Sequence, residues 1–168
     1  CNGASQGTDP KEECEAVAET DCGLNGSCDG ASACANWPIT SICIDQTCAD
    51  GTLQLADHCD GTGSCADAGT TECLPYICNV AGTDCLHSCQ DKADCQAGYY
   101  CAGSICKEQK ANGETCGDGD ECVSALCVDG YCCDAACDGT CESCGVAGSL
   151  GTCTPFDINS DPASECGF

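Results

Sequence analysis

Between residues 132 and 144 the chain reads CCDAACDGTCESC, five cysteines in thirteen residues. Thiols this dense can bind a metal, exchange disulfides through a CxxC pair, or pair off as structural staples. A disulfide-exchanging pair needs a helix N-terminus or a nearby cation to lower the pKa of its nucleophile. Cys141-Glu142-Ser143-Cys144 instead has Asp138 and Glu142 as neighbours, and no Lys or Arg follows Lys110. Acidic neighbours raise a thiol pKa, so redox catalysis is disfavoured. A structural zinc site shows paired CxxC or Cys/His knuckles. Only one CxxC exists, and Cys85-Leu86-His87-Ser88-Cys89 has the right ligand types without a second knuckle. Metallothionein-like packing would require CxC repeats and many Lys, which the chain lacks. Staples are the reading that remains.

Oxygen-ligated calcium is the one cofactor the residues leave open. CGDGDEC places Asp118, Asp120 and Glu121 between two cysteines. An EF-hand loop requires oxygen ligands at positions 1, 3 and 5 and Gly at 6. Counted from Asp118, position 5 is Cys122, so that motif fails and only a weak surface Ca²⁺ site is left, against the plainer reading of a solvated acidic turn. No Ser has a GxSxG context, neither His58 nor His87 has a triad setting, and no Gly-rich phosphate loop follows a strand. The expectation is no enzyme and no other cofactor.

The composition says what must hold such a chain together. Leu, Ile, Val and Phe make up 20 of 168 residues, about 12%, below the roughly 20% at which a highly charged chain is usually disordered. Burial of so little apolar area cannot offset chain entropy. The 26 cysteines, about 15% of the chain, exceed the 8–10% that marks a disulfide scaffold. Their even number allows complete pairing, and each bridge is worth roughly 2–4 kcal/mol. Disulfides persist in oxidising compartments, so the protein is expected outside the cytosol, secreted or on the outer cell surface.

With 28 acids, four lysines (Lys11, Lys92, Lys107, Lys110) and no Arg, the formal charge is −24. Such a chain is repelled by phosphate backbones and by anionic membranes, so neither nucleic acid nor membrane insertion is expected. No apolar run reaches transmembrane length. No signal peptide precedes Cys1, so the numbering is expected to start on processed or excised material. Lipidation of Cys1 would leave an odd number of thiols, which disfavours a lipoprotein.

The cysteine spacing repeats as C-x5-C-x(4–8)-C-x4-C. Cys28, Cys34, Cys43 and Cys48 fit it, as do Cys59, Cys65, Cys73 and Cys78, then Cys89, Cys95, Cys101 and Cys106, then Cys116, Cys122, Cys127 and Cys132. This divides the chain into an N-terminal junction segment at 1–27, carrying Cys1, Cys14 and Cys22, and Cys-rich units at 28–58, 59–88, 89–115 and 116–132. Cys85 falls at the end of the second unit. A C-terminal module and junction at 133–168 holds Cys133, Cys137, Cys141, Cys144, Cys153 and Cys166. All 26 are expected in disulfides, though four cysteines allow three pairings and spacing does not choose among them.

Asp129-Gly130 in CVDGYC is a two-residue hairpin signal that would set Val128 opposite Tyr131. Asn112-Gly113 reads as a turn. A short helix over 11–19 is the only helical pattern. A longer period is also visible: CNGASQGTDPKEEC at 1–14 and CTPFDINSDPASEC at 153–166 share C-x7-D-P-x2-E-C, offset by 152 residues. The expected fold is small, disulfide-rich and mostly β-hairpin and loop, an elongated tandem array with little helix and no conventional hydrophobic core.

Three smaller signals complete the reading. Trp37 is expected as a packing anchor, and Tyr99-Tyr100 as cover over a disulfide or as a contact patch. Asn25-Gly26-Ser27 is the one N-glycosylation sequon and otherwise a turn.

The run CQDKADCQAGYYCAGSICKEQKANGETCGDGDECVSALCVDGYCCDAACDGTCESC resembles the Cys-rich tandem repeats of large surface proteins of myxobacteria and their relatives. GSLGTCTP, DPASEC and HCDGTGSC extend the likeness over most of residues 28–166; residues 1–27 match least. The hairpin units also resemble the small Cys-rich modules of the Dickkopf N-terminal and EB types. The resemblance implies a bacterial surface stalk, adhesive rod or filament, without catalysis, whose partners are neighbouring repeats or copies of itself end to end. The alternatives are an adhesin or receptor module that displays a ligand-binding loop, and a Ca²⁺-dependent rod.

Overall fold

The computed structural model describes residues 1–156. Its elements are short because the sequence never sustains an apolar period long enough for a longer one. No α-helix occurs among the described residues; three single 3₁₀ turns lie at Glu19–Asp21, Lys92–Asp94 and Gly119–Glu121. Residues 11–18 form no helix and Glu19 only opens a 3₁₀ turn, contrary to the sequence expectation. The Asp9 carboxylate accepts the Glu13 and Cys14 N–H groups at 3.0 and 2.8 Å. Val17 N–H donates across to Leu24 O at 2.9 Å. The backbone there is committed to non-helical partners.

The chain divides into two compact units, Cys1–Cys73 with Ile77–Leu86, and Leu74–Tyr76 with His87–Phe168. The first unit holds three antiparallel sheets. β1 (Leu24–Cys28) pairs β2 (Cys34–Asn36). β3 (Ile42–Ile44), β6 (Asp57–Cys59) and β7 (Cys65–Ala66) form one three-stranded sheet in that order. β4 (Thr47–Ala49), β5 (Thr52–Gln54) and β8 (Thr70–Glu72) form another. Among its described residues the second unit holds three hairpins: β9 (Tyr99–Ala102) with β10 (Ile105–Glu108), β11 (Cys127–Val128) with β12 (Tyr131–Cys132), and β13 (Glu142–Ser143) with β14 (Thr154–Pro155).

Turn chemistry fixes these hairpins. Asp129 and Gly130 both have positive φ, +53° and +80°, as a two-residue type I′ turn requires. Val128 faces Tyr131 across it. Gly103 and Ser104, at +62° and +69°, do the same between Ala102 and Ile105.

The interior is sulfur. Among the described residues, Leu53 is the one buried apolar side chain that is not a cysteine. Trp37 packs on the Cys22, Cys43 and Cys59 cluster and donates its indole N–H to Val17 O at 3.1 Å. Tyr76 and Tyr99 pack on Cys89, Cys95 and Cys106. Tyr100 lies opposite Lys107 in the ladder. This is a disulfide-rich β fold whose stability comes from local cross-links rather than from one apolar core.

Candidate functional site

Because the cysteines carry the chemistry, their pairing is the site. Every module uses four of them, and in each the first bonds the third and the second bonds the fourth. Module 1 joins Cys1 to Cys28 and Cys14 to Cys34. Module 2 joins Cys22 to Cys59 and Cys43 to Cys65. Module 3 joins Cys48 to Cys78 and Cys73 to Cys85. Module 4 joins Cys89 to Cys101 and Cys95 to Cys106. Module 5 joins Cys116 to Cys127 and Cys122 to Cys132. Module 6 joins Cys133 to Cys144 and Cys137 to Cys153. Cys141 is disulfide-bonded as well, and Cys166 lies outside the described residues.

The third and fourth cysteines of a module face each other across a β-ladder. Cys28 is the register partner of Cys34, Cys59 of Cys65, Cys101 of Cys106 and Cys127 of Cys132. Cys78 and Cys85 form an isolated antiparallel bridge. In module 6 the pairs Glu142–Pro155 and Ser143–Thr154 put Cys144 and Cys153 on the next rung. Directly opposed residues point to the same side of a hairpin. Both sulfurs therefore leave one face and reach back to two upstream cysteines. The two bridges stack: Sγ of Cys1 and Cys14 are 3.1 Å apart, and those of Cys48 and Cys73 3.4 Å.

The position of one Asp decides what a C-x5-C loop becomes. In CDGASAC and CDGTGSC the Asp follows the cysteine directly, and the loop closes a hairpin. Asp29 accepts the Ala31 and Ala33 N–H groups at 2.7 and 3.0 Å. Asp60 accepts those of Thr62 and Ser64 at 2.7 and 3.1 Å. These hydrogen bonds hold the Asp29 carboxyl below its ordinary value; for Asp60 the Thr62 hydroxyl acts first and the backbone donors add to it. In CQDKADC and CGDGDEC the Asp stands one place later and caps a 3₁₀ turn. Asp91 accepts Ala93 N–H, and Asp118 accepts Asp120 N–H, each at 2.8 Å.

The spacing-based units at 89–115 and 116–132 contain complete modules 4 and 5. The other two do not close on themselves: Cys28 and Cys34 belong to module 1, Cys43, Cys59 and Cys65 to module 2, Cys48, Cys73 and Cys78 to module 3. Spacing gives the period, whereas the hairpin decides which cysteines are opposed. Of the 1–14 and 153–166 likeness, only the leading cysteines can be compared among the described residues. Cys1 is the first cysteine of its module, and Cys153 the fourth of its own. The remainder of the second segment lies outside the described residues.

Cys144 of the CxxC bonds Cys133 and is buried. Asp118 caps its own turn, Asp120 lies 3.2 Å from Lys92 Nζ, and Glu121 pairs with Lys110 and accepts Gly117 N–H. The Lys110 hydrogen bond lowers the Glu121 pKa, and the reverse contact raises that of Lys110. Three acids of the calcium candidate are thus occupied by donors of the protein itself. Groups of three sulfurs at metal-ligand separation recur, for example Cys89, Cys95 and Cys106. All are spent in disulfides and offer no thiolate in this form. His58 and His87 are exposed. The Asn25 side-chain carbonyl accepts the Ser27 hydroxyl at 2.6 Å, and its amide donates to Asn36 O.

The geometry defines a class, disulfide-rich β proteins built of repeated crossed-bridge hairpins. No family model matches the chain, so the Dickkopf and EB likeness gains no support, and no solved structure matches it. The chain is 28% identical to Major surface-labeled trophozoite antigen 417 of Giardia intestinalis over 181 residues, which covers 99% of this chain and 24% of that protein. It thus spans about a quarter of the relative's length. A surface-labeled antigen as relative, together with this chain's own dense disulfides, fits a Cys-rich protein of extracellular or surface location. No helix among the described residues is long and apolar enough to cross a membrane.

Proposed function

We propose that the chain is a segment of an extracellular structural protein, a disulfide-stapled stalk or filament at a cell surface that joins neighbouring repeats or copies of itself end to end. The observation that carries this reading is the recurrence of one crossed-bridge hairpin in six modules, with loops that differ and staples that do not. A catalytic protein keeps one arrangement of reactive side chains; here the conserved geometry is the cross-link itself. The reading assigns no catalysis, no cofactor, no nucleic acid and no membrane insertion. A bacterial host is carried only by the likeness to myxobacterial repeats.

A ligand-binding surface module is the second reading. It is favoured by β3, which buries Cys43 while Ile42 and Ile44 on either side are 44% and 52% exposed. Sedimentation velocity of the oxidised chain over a wide concentration range tests the first. Open-ended growth in species size supports end-to-end assembly, and a single monomeric species at every concentration removes the filament. Deleting residues 1–14 is a poor test, because Cys28 and Cys34 would lose their partners.

A further inference from the structure

The disulfides protect the chain unevenly. From Cys1 to Cys85 their spans overlap without a gap: 1–28, 14–34, 22–59, 43–65, 48–78 and 73–85. A single backbone break anywhere in that stretch leaves its two sides covalently joined. Later spans are separate, covering 89–106, 116–132 and 133–153. Residues 86–88, residues 107–115 and the bond between Cys132 and Cys133 are crossed by none of them. The bond made by Cys141 does not reach back over these gaps, since every other described cysteine is paired within the twelve bridges.

The four lysines fall on this map in an informative way. Lys11 lies inside the Cys1–Cys28 span and Lys92 inside Cys89–Cys101. Lys107 and Lys110 lie in the uncrossed connection. They are not equivalent. Lys110 pairs with Glu121, donates its Nζ to Thr115 O at 2.9 Å, and has its backbone N–H and C=O engaged by Glu121 and Val123. Lys107 is exposed on β10, one strand of a two-stranded ladder. An extended strand at a sheet edge presents the backbone shape that a second chain can pair with.

We infer that the Lys107–Glu108 peptide bond is a release point for a lysine-specific, trypsin-like protease. Water adds across that bond, leaving a carboxylate on Lys107 and an amine on Glu108, and residues 1–107 part from 108–168. Module 4 keeps both bridges on one side of the cut and module 5 keeps both on the other. Among the described residues the cut is crossed by Glu108 opposite Tyr99, Gln109 N–H to Gly98 O at 2.8 Å, the exposed Lys92–Asp120 pair and the packing of β9 on the Gly119–Glu121 turn, none of them covalent. Scission at Lys11 or Lys92 releases nothing. The inference holds whether or not the segment is structural.

The test is trypsin treatment of the native oxidised chain, then mass measurement under denaturing, non-reducing conditions. Two covalently separate pieces, 1–107 and 108–168, are expected. Lys107→Gln should leave one covalent piece, while Lys11→Gln and Lys92→Gln should still separate. An uncut chain, a cut chain whose pieces stay joined, or separation that persists in Lys107→Gln overturns the assignment.

Discussion

The Asp129 carboxylate accepts a hydrogen bond from the buried Ser143 hydroxyl at 2.7 Å and a second from Cys144 N–H at 3.0 Å. Asp129 is the first residue of the module 5 turn, and Ser143 lies on the hairpin of module 6. One side chain therefore serves the local turn and fastens the next module. Gly adopts positive φ freely, so Asp129→Gly keeps the turn and removes both accepting oxygens. It should weaken the module 6 hairpin by about 1–3 kcal/mol, read as faster amide exchange at Ser143 and Cys144. Unchanged exchange there would show that the contact does not join the modules.

Module independence makes a sharper prediction. Replacing Cys89 and Cys101 together by Ser removes one bridge, worth roughly 2–4 kcal/mol, without leaving a stray thiol. Stability is a sum of local terms in such an architecture. Amide protection should fall in residues 89–106 and stay unchanged in module 1. Loss of protection throughout the chain would argue for one cooperative core.

Leu53, the single buried non-cysteine apolar residue of the described chain, packs with Cys48 and Cys73. Leu53→Ala should cost about 2–3 kcal/mol. Exchange should quicken along β4, β5 and β8, with modules 4 and 5 unaffected; a silent substitution would show that the cluster needs no aliphatic packing.

The capped loops should respond to acid. Asp29 and Asp60 have folded pKa values below the ordinary 3.8, so their contribution is present above that value and fades as pH falls through the lower folded value. NMR titration should show the Ala31, Ala33, Thr62 and Ser64 amide shifts moving with midpoints below 3.8. Midpoints at or above it would mean that the caps do not form in solution.

Much of this fold could be read from composition and turn residues. The apolar poverty and the cysteine count imply a stapled scaffold, and Asp129-Gly130 implies the hairpin that places Val128 against Tyr131. Modules 4 and 5 follow from spacing because their four cysteines are consecutive. Modules 1 to 3 do not, because Cys22 of module 2 precedes Cys28 of module 1, and Cys48 of module 3 precedes Cys59 of module 2. Interleaved bridges defeat a linear period. The signal that separates the two uses of C-x5-C was present all the same: Asp directly after the cysteine in CDGASAC, and one place later in CGDGDEC. The helix expected over 11–19 failed because Asp9 and Leu24 claim its backbone, which no local pattern reveals.

Disulfide mapping reads the crossed pairing itself. Native chain would be digested at acidic pH, where exchange is slow, and the unreduced peptides weighed and fragmented. Crossed pairing requires Cys89 linked to Cys101, Cys95 to Cys106, Cys116 to Cys127 and Cys122 to Cys132. Cross-strand links such as Cys101 to Cys106, or sequential links such as Cys89 to Cys95, would contradict it.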